Sequence, residues 1–353
     1  MTSSVYIALD AMGGDHAPEM VIEGTEIARS QHPDARFLLF GDENRIAPYL
    51  ARFRRLAEVC EIRHTEQSIA ADEKPSQALR RGQESSMRLA VDAVKEGFAG
   101  VVVSAGNTGA LMAISKFVLK TQPSIDRPAM VSFFPTRKGR TAVLDLGANV
   151  ECSAGNLVQF AVMGAAFARI ELGIDRPTVG LLNVGVEELK GNDTVRSAGE
   201  ALRDVDFGFE FAGFIEGNDI CEGTVDVVAT DGFTGNAVLK TLEGGSSMFV
   251  DFMRQAFQSG IPSKLGYLLA RPALRRMRAR IDPRAYNGAV FVGLNGISVK
   301  SHGGTDGAGY ANAIGVAIDL VRGRFTERIQ ADLEKSYVIP QEPADEAPQA
   351  AVS

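Results

Sequence analysis

Four segments of the sequence combine glycine with carboxylate, amide and hydroxyl side chains, and each follows a short apolar run. They are residues 10–15, 104–109, 145–149 and 230–236. Glycine-rich turns let backbone N–H groups approach an anion, and a helix that begins at such a turn adds positive potential. Because ligands bind at the carboxyl ends of strands in a parallel α/β sheet, we expect the four loops to share one edge and form a crevice for phosphate or carboxylate.

Side chains in and near these loops supply the groups that an anion site needs. The residues that we predict to contact phosphate or substrate are Asn107, Thr108, Asp231, Thr234, Asn236 and Lys240. Lys190, Lys300 and His302 follow other predicted strands and are the candidates for catalytic charge and proton transfer. Asp10 and Asp15 could instead bind Mg²⁺, but loop capping is the favoured interpretation of that pair.

The same residue types also cap helices and form turns, so each loop taken alone has an ordinary structural explanation. The sequence contains neither G-x-G-x-x-G after a predicted strand nor G-x-x-x-x-G-K-[ST], which disfavours an NAD-dependent dehydrogenase and a P-loop NTPase. It also lacks a G-x-S-x-G elbow, so nothing supports a serine hydrolase.

Composition excludes several classes of protein. The chain has 353 residues, 45% of them hydrophobic, and a formal net charge of −7, which is typical of a folded globular protein and not of a general nucleic-acid binder. Three widely spaced cysteines and four scattered histidines give no disulfide framework or zinc motif. No signal peptide is evident, so we expect a cytoplasmic protein.

The elements that must position these residues alternate along the chain. Residues 5–9, 37–40, 101–104, 142–146, 179–184 and 225–229 are near-continuous apolar runs, which predict strands buried on both faces. Helical patterns separate them, at residues 18–29, 45–59, 85–96, 157–172 and 194–202. This alternation predicts a Rossmann-like, doubly wound α/β fold with a mostly parallel sheet.

Residues 260–284 differ from the rest of the chain. They hold seven basic residues and one acidic residue, interleaved with leucines. Pro272 predicts two short helices here rather than one. We call this segment the basic arm and treat it as an insertion in a single catalytic domain, residues 1–337, followed by a disordered tail, residues 338–353.

Ten stretches, in this order along the chain, carry a resemblance to a known family. They are ALDAMGGDHAP (8–18), SAGNTGALM (104–112), DRPA (126–129), LDLGAN (144–149), GLLNVG (180–185), KG (190–191), TDGFTGN (230–236), LKTLEG (239–244), YNGA (286–289) and VKSHG (299–303). Each stretch alone is weak evidence, but the ordered set is specific. The sequence resembles the PlsX family of acyl-carrier-protein:phosphate acyltransferases over nearly its whole length.

The resemblance implies a fold related to phosphotransacetylases and to isocitrate and isopropylmalate dehydrogenases. It implies a homodimer without a cofactor, in which inorganic phosphate attacks the thioester of a long-chain acyl-(acyl carrier protein). A membrane-bound glycerol-3-phosphate acyltransferase would consume the acyl-phosphate product. Two alternatives remain open: an acyl-CoA-dependent phosphotransacetylase, and a non-catalytic, membrane-associated scaffold.

The implied reaction needs positioning and charge more than a protein nucleophile, because phosphate is itself nucleophilic. We expect Lys190 and Lys300 to supply charge, and His302 to protonate the departing sulfur or to donate to the oxyanion. In the basic arm, we expect Leu268, Leu269, Arg271, Arg275, Arg276 and Arg278 to contact an anionic membrane or the acidic carrier protein. The remaining interpretation is a helix at the dimer interface.

Overall fold

The computed structural model describes residues 4–280 and 282–335, apart from the side chains of residues 278–280, 283 and 335. The strands of this part of the chain are β1 Val5–Asp10, β2 Ala35–Gly41, β3 Cys60–His64, β4 Val101–Ser104, β5 Ala129–Thr136, β6 Gly139–Leu144, β7 Thr178–Leu182, β8 Glu210–Ile215, β9 Val227–Ala229, β10 Ala289–Val292 and β11 Ile297–Lys300. The helices are α1 Glu19–Gln31, α2 Glu43–Leu50, α3 Arg54–Ala57, α4 Pro75–Arg81, α5 Ser86–Lys95, α6 Thr108–Leu119, α7 Ala154–Glu171, α8 Asp193–Asp204, α9 Gly217–Glu222, α10 Gly232–Gln258, α11 Ile261–Arg280, α12 Gly307–Arg322 and α13 Phe325–Lys335.

The strands form one sheet in the order β3-β2-β1-β4-β11-β10-β5-β6-β9-β7-β8. Seven of the pairings between these strands are parallel. Three pairings in the middle of the sheet, β11–β10, β10–β5 and β5–β6, are antiparallel. The predicted mostly parallel α/β fold is therefore confirmed.

Helices cover both faces of this sheet, so alternate residues of a strand belong to different apolar clusters. Ile7 and Leu9 of β1 lie in the largest apolar cluster, together with residues of α1, α7 and α12. Ala8, between them, lies in a second cluster with residues of α5 and α6. A strand that is apolar at every position is thus buried on both sides, as the near-continuous apolar runs predict.

Three successive antiparallel pairings reverse the direction of the sheet between its two halves. β1, β4 and β11 run one way, whereas β6, β9 and β7 run the other way. The loops that follow the first three strands and those that follow the last three therefore leave opposite edges of the sheet. The expectation that all four glycine-rich loops share one edge is wrong for this reason.

Two helix predictions also need correction. The segment 45–59 contains two helices, α2 and α3, because the chain turns at residues 51–53 and Phe53 packs against the main core. Among its described residues, the basic arm has one α-helix, α11, which passes through Pro272, and then the start of a 3-10 helix, Pro283–Tyr286. Proline deprives the carbonyl four residues earlier of its donor. Here that carbonyl belongs to Leu268, an exposed residue, so water can satisfy it.

The basic arm is the second half of a helical hairpin. α10 packs against the sheet only near its start, where Val238, Leu239 and Leu242 contact a small apolar cluster. The hairpin is closed by an edge-to-face contact between the Phe257 and Tyr267 rings, whose centroids are 5.5 Å apart. Within the described residues, no helix is both long enough and apolar enough to cross a bilayer. The predicted tail, residues 338–353, lies outside the described residues.

Candidate active site

The structure gathers the polar residues of the strand-end loops into two clusters, one on each edge of the sheet. The Asp10 cluster consists of Asp10, Ser86, Ser104 and Lys300, and His302 follows Lys300 on the same loop. The Asp145 cluster consists of Asp145, Asn149, Asp231, Thr234 and Asn236. β11 and β6 are three places apart in the sheet, which separates their axes by about 14 Å at the usual strand spacing. The predicted residues therefore belong to two clusters, with β10 and β5 between the strands that carry them.

Asp10 ties together the elements of the first cluster. It is the last residue of β1 and only 2% exposed. Its Oδ1 accepts a hydrogen bond from Ser86 Oγ, and its Oδ2 accepts one from Ser104 Oγ, both at 2.6 Å. Burial raises the pKa of Asp10, and the hydrogen bonds from the two serines oppose that rise. The carboxylate thereby connects β1 to β4 and to the start of α5.

Lys300 brings a buried positive charge to the same cluster. It is the last residue of β11, lies opposite Ser104 in the sheet and is 8% exposed. Its Nζ donates to the carbonyl oxygen of Ala105 at 3.4 Å and to that of Ser301. Burial lowers the pKa of Lys300 to about 8, while the Asp10 and Asp15 carboxylates favour its charged form. The ammonium group is therefore charged below about pH 8.

His302 lies on the surface two residues beyond Lys300. Its backbone N–H donates to Asn287 Oδ1 at 2.8 Å, and its Nδ1 accepts from the Gly304 N–H at 3.1 Å. Because Nδ1 is an acceptor, the neutral ring carries its proton on Nε2. Asn287 also donates to Ser301 Oγ at 2.8 Å. The loop after β11 is thus fixed with the Nε2 proton of His302 available for donation.

Asn107 and Thr108 lie at the start of α6, beside the Asp10 cluster. The Asn107 Oδ1 accepts from the Ala110 N–H at 3.0 Å, and its Nδ2 donates to the carbonyl oxygens of Ala71 and Glu73, each at 2.9 Å. This amide therefore caps α6 and tethers a loop. Thr108 is exposed as the first residue of the helix, where backbone N–H groups have no partner inside the helix.

The Asp145 cluster repeats this design on the other edge. Asp145 is fully buried, and its Oδ2 accepts from the backbone N–H of Asn149 at 2.7 Å and from the Asn149 Nδ2 at 2.9 Å. Its Oδ1 accepts from the Met130 and Ala148 N–H groups, both at 2.9 Å. Burial raises the pKa of Asp145, and these hydrogen bonds oppose the rise. The carboxylate holds the loop after β6 in one conformation.

The loop after β9 packs onto this framework. Asp231 caps α10: its Oδ1 accepts from the Thr234 N–H at 2.8 Å, and its Oδ2 accepts from Thr234 Oγ1 at 2.7 Å. Asn236 is exposed and lies against Gly147, where an added Cβ would be 3.4 Å from the Asn236 Cβ. Asp231 and Thr234 therefore bond to each other, and Asn236 presents its amide at the surface.

Lys190 and Lys240 are the predicted cations of this edge, and both are exposed. Lys190 follows β7, and its carbonyl oxygen accepts from the Asn183 Nδ2 at 3.1 Å. Lys240 forms an ion pair with Glu243, with 2.7 Å between Nζ and Oε2. Neither lysine joins the Asp10 cluster, so the two predicted catalytic lysines, Lys190 and Lys300, lie at different edges of the sheet.

The predicted contact residues of the basic arm lie on α11. Leu268, Leu269, Arg271, Arg275 and Arg276 are all exposed. The side chain of Arg278 lies outside the described residues. The exposed leucines and arginines give this helix the mixed apolar and basic surface that the sequence predicts.

Ser86 and Ser104 of the Asp10 cluster, and Asn287 beside it, were not among the predicted site residues. Ser104 and Asn287 lie in stretches that carry the family resemblance, which is the signal that could have found them, whereas Ser86 lies outside those stretches. For Asp10, the sequence predicts a capping role, with magnesium binding as the alternative. Among the described residues, no group of three or more histidine, cysteine or acidic side chains could hold a metal ion.

Comparison with known families gives a match to one model, that of the fatty acid synthesis protein family, over residues 5–328. The chain belongs to this family. Because the matched segment contains both clusters and the basic arm, all the candidate residues lie within family sequence. The PlsX resemblance drawn from the ordered motifs is thereby confirmed.

Relatives in this family carry an enzyme's name. A protein of Paramagnetospirillum magneticum named "Phosphate acyltransferase" is 57% identical over 335 residues, which cover 95% of each chain. A protein of Rhodospirillum rubrum with the same name is 55% identical over 340 residues, covering 96% of this chain and 97% of its own.

Solved structures of phosphotransacetylases share the fold of this family member. The enzyme from Streptococcus pyogenes aligns with a TM-score of 0.63 and 16% identity, covering 91% of this chain and 95% of its own. The EutD phosphotransacetylase from Staphylococcus aureus aligns with a TM-score of 0.59 and 16% identity, covering 90% and 94%. At this identity the likeness concerns the fold, and it agrees with the Rossmann-like architecture predicted from the sequence.

Proposed function

We infer that this protein is a phosphate acyltransferase, which moves a long-chain fatty acyl group from acyl carrier protein to inorganic phosphate in phospholipid synthesis. The observation that carries this inference is membership of the fatty acid synthesis protein family, with relatives named phosphate acyltransferase at 55% and 57% identity over nearly the whole chain. The Asp10 cluster supports it, because it combines a buried ammonium group with a helix start that leaves backbone N–H groups free for an anion.

The reaction balances without a cofactor or a protein nucleophile. An oxygen of hydrogen phosphate attacks the thioester carbonyl carbon, a C–O bond forms, and the C–S bond breaks. The proton that phosphate loses is the proton that the departing thiolate gains, so the protein has only to transfer it. A thiol has an ordinary pKa near 8.5. The Lys300 ammonium, whose pKa is about 8, is closely matched to that proton transfer.

We place the reacting groups at the Asp10 cluster. Lys300 faces the phosphate and the developing oxyanion, and the Nε2 proton of His302 stands beside the leaving sulfur. Thr108 and the first N–H groups of α6 hold phosphate oxygens. Lys190, Asn236 and Thr234, at the other edge, contact the second substrate, the thioester arm of the carrier protein, whose linker carries a phosphodiester.

Release of thiol from palmitoyl-(acyl carrier protein) tests this function. We expect release that requires inorganic phosphate and that is far faster with the carrier protein than with palmitoyl-CoA. Equal or greater activity with the CoA thioester would support the acyl-CoA-dependent alternative, which the shared fold with phosphotransacetylases favours. Absence of phosphate-dependent release with both donors would contradict the inference. The non-catalytic scaffold would then be the remaining interpretation.

Lys190→Ala is expected to weaken catalysis moderately. The side chain is exposed, so its charge is partly screened by solvent. We expect the KM for the acylated carrier protein to rise about fivefold, with kcat within about twofold of wild type, since one surface charge contributes about 1 kcal/mol. Steady-state kinetics with each substrate varied in turn measures this. A change confined to the KM for phosphate would contradict this assignment and indicate that Lys190 contacts phosphate.

We propose that the basic arm brings the enzyme to an anionic membrane, where a membrane-bound glycerol-3-phosphate acyltransferase can take the poorly soluble acyl-phosphate. The exposed leucines and arginines of α11 suit a helix that lies in the lipid interface. Each engaged arginine contributes about 1 kcal/mol. We further propose that the chain is a homodimer with one catalytic domain, residues 1–337.

Charge reversal in the arm is expected to weaken membrane binding strongly. Changing Arg271, Arg275 and Arg276 to glutamate should weaken co-sedimentation with vesicles containing anionic lipid by more than about tenfold, because three attractive charges become repulsive. Catalysis on the water-soluble carrier substrate should stay within about threefold.

The matched control reverses Arg45, Arg54 and Arg55, three exposed arginines of another region, and should bind vesicles as wild type does. Unchanged co-sedimentation of the arm variant would refute the membrane proposal. If that variant instead loses affinity for the carrier protein, the arm is a docking site for that protein. If it loses the dimer, the arm belongs to the dimer interface.

A further inference from the structure

Asp10, Ser104 and Lys300 lie in one row across three neighbouring strands. β1 pairs with β4 at Leu9 and Val103, one residue before Asp10 and Ser104. β11 pairs with β4 at Lys300 and Ser104. Because strands in a sheet are about 4.8 Å apart, a carboxylate, a hydroxyl and an ammonium group follow one another across the sheet edge at the start of α6.

Ser104 links Asp10 by hydrogen bonds to the loop that precedes α6. While Ser104 donates to Asp10 Oδ2 at 2.6 Å, its oxygen accepts from the Gly106 N–H at 3.0 Å. The atoms around this link are tightly packed. A Cβ added at Gly13 would lie 2.5 Å from Asp10 Oδ2 and 2.7 Å from the Gly106 nitrogen. The loop at residues 104–107 is therefore held against the buried carboxylate.

We propose that Asp10 is a positioning residue for acyl transfer: through Ser104 it fixes the loop at residues 104–107, and its negative charge keeps the Lys300 ammonium beside that loop. This inference rests on the proposed function and deepens it, since it names the group that prepares Lys300 for an anionic substrate. Asp10 touches no substrate in this account and acts through Ser104 and Lys300.

The other charged and titratable groups around Lys300 do not replace Asp10. Asp15, on the loop after β1, is the second carboxylate that favours the ammonium form. His302 is on the same loop as Lys300 but is exposed. Tyr310 of α12 is buried; burial raises its pKa well above the ordinary value, so it stays neutral, and its hydroxyl donates to the Val103 carbonyl at 3.4 Å. Asp10 is the carboxylate that also holds the loop.

Asp10→Asn tests the proposal, because it removes the charge while keeping the shape. Without this counter-charge, the ammonium form of Lys300 is disfavoured, so its pKa falls. We expect the alkaline limb of kcat/KM for phosphate to move about one pH unit lower than in wild type, which is about a tenfold loss at pH 8.5. Near pH 6.5 the loss should be under about threefold. Lys300→Arg should remove the limb, since arginine does not titrate there.

Asp42→Asn is the matched control. Asp42 caps α2, its side chain accepting from the Asn44 N–H at 3.0 Å, and lies outside both clusters. This variant should keep the wild-type profile. For Asp10→Asn, an unmoved limb, or a loss that is the same at every pH, would overturn the proposal, because a merely structural carboxylate would act without regard to pH.

Ser104→Ala provides the second arm and carries the test if Asp10→Asn does not fold. It keeps the charge of Asp10 and cuts its link to the loop, so we expect the KM for phosphate to rise about fivefold or more while the alkaline limb stays in place. An unchanged KM would overturn the proposal. Wild-type protein that releases no thiol with phosphate would defeat the proposed function itself, whereas an active wild type with unaltered variants would defeat only the role of Asp10.

Discussion

Lys300→Ala is expected to lower kcat/KM for phosphate by about 10³-fold at pH 7, the range that a buried electrostatic and proton-transferring group contributes. The reason is the low exposure of Lys300, which makes its charge act in a poorly screened environment. Lys300→Met keeps the aliphatic volume and should lose as much. Steady-state thiol release over a range of phosphate concentrations measures the effect, with thermal melting to confirm that each variant folds.

Two comparisons sharpen this result. His302→Ala should cost only about tenfold, because the ring is exposed and water can share its proton transfer. Lys95→Ala, at the far end of α5, is the control and should behave as wild type. A folded Lys300→Ala variant that stays within about threefold of wild type would remove Lys300 from the mechanism and with it the assignment of the reaction to the Asp10 cluster.

Glu171→Gln is expected to stabilise the folded protein by about 2 kcal/mol at pH 8 and by much less at pH 5. Glu171 ends α7, and its Oε1 is buried without a hydrogen-bond partner among the described residues. Burial raises the pKa of Glu171 to about 7; Asp319 adds to the rise and Arg140 opposes it. The folded state thus favours a neutral group at this position, and glutamine is neutral at every pH.

The direction of the pH effect on stability follows from the pKa of Glu171 in the folded and unfolded protein. The pKa of Glu171 is higher in the folded protein than the ordinary value of 4.5, so stability is lost as pH rises from about 4.5 to about 7 and is constant above that. Urea unfolding of wild type and Glu171→Gln at pH 5 and pH 8 measures the difference. Glu200→Gln on the exposed face of α8 is the control. Equal stabilisation at both pH values, or none, would contradict the prediction.

The fold class could be predicted from the sequence because many of its strands are buried on both faces and therefore appear in the sequence as apolar runs. β4 was predicted residue for residue, and β1 to within one residue. β3, β5 and β8 were missed, because each carries exposed or half-buried residues that interrupt its apolar pattern. The loss of β5 mattered most, since β5 and β6 form a hairpin across the turn at residues 137–138.

That hairpin is why the site could be predicted only in part. With β5 missing, nothing in the sequence revealed that the sheet changes direction before β6, so loops from opposite edges were grouped together. Nor could spacing distinguish the two candidate catalytic lysines. Lys190 is exposed on a long loop, whereas Lys300 is buried by the register of β11 against β4, which is a long-range contact. The glycine-rich loops are local features and could be predicted; their arrangement depends on pairings distant in sequence.

Acyl-phosphate formation coupled to thiol release is the decisive measurement for the proposed reaction at the Asp10 cluster. Purified protein is mixed with palmitoyl-(acyl carrier protein) and radiolabelled inorganic phosphate. The free thiol is titrated in one portion, and the acyl-phosphate is counted in another by the label that it carries into an organic solvent. We expect one acyl-phosphate for each thiol, no thiol without phosphate, and a fall of about 10³-fold in both products with Lys300→Ala. Thiol release that proceeds without phosphate, or that yields no acyl-phosphate, would contradict the proposed reaction.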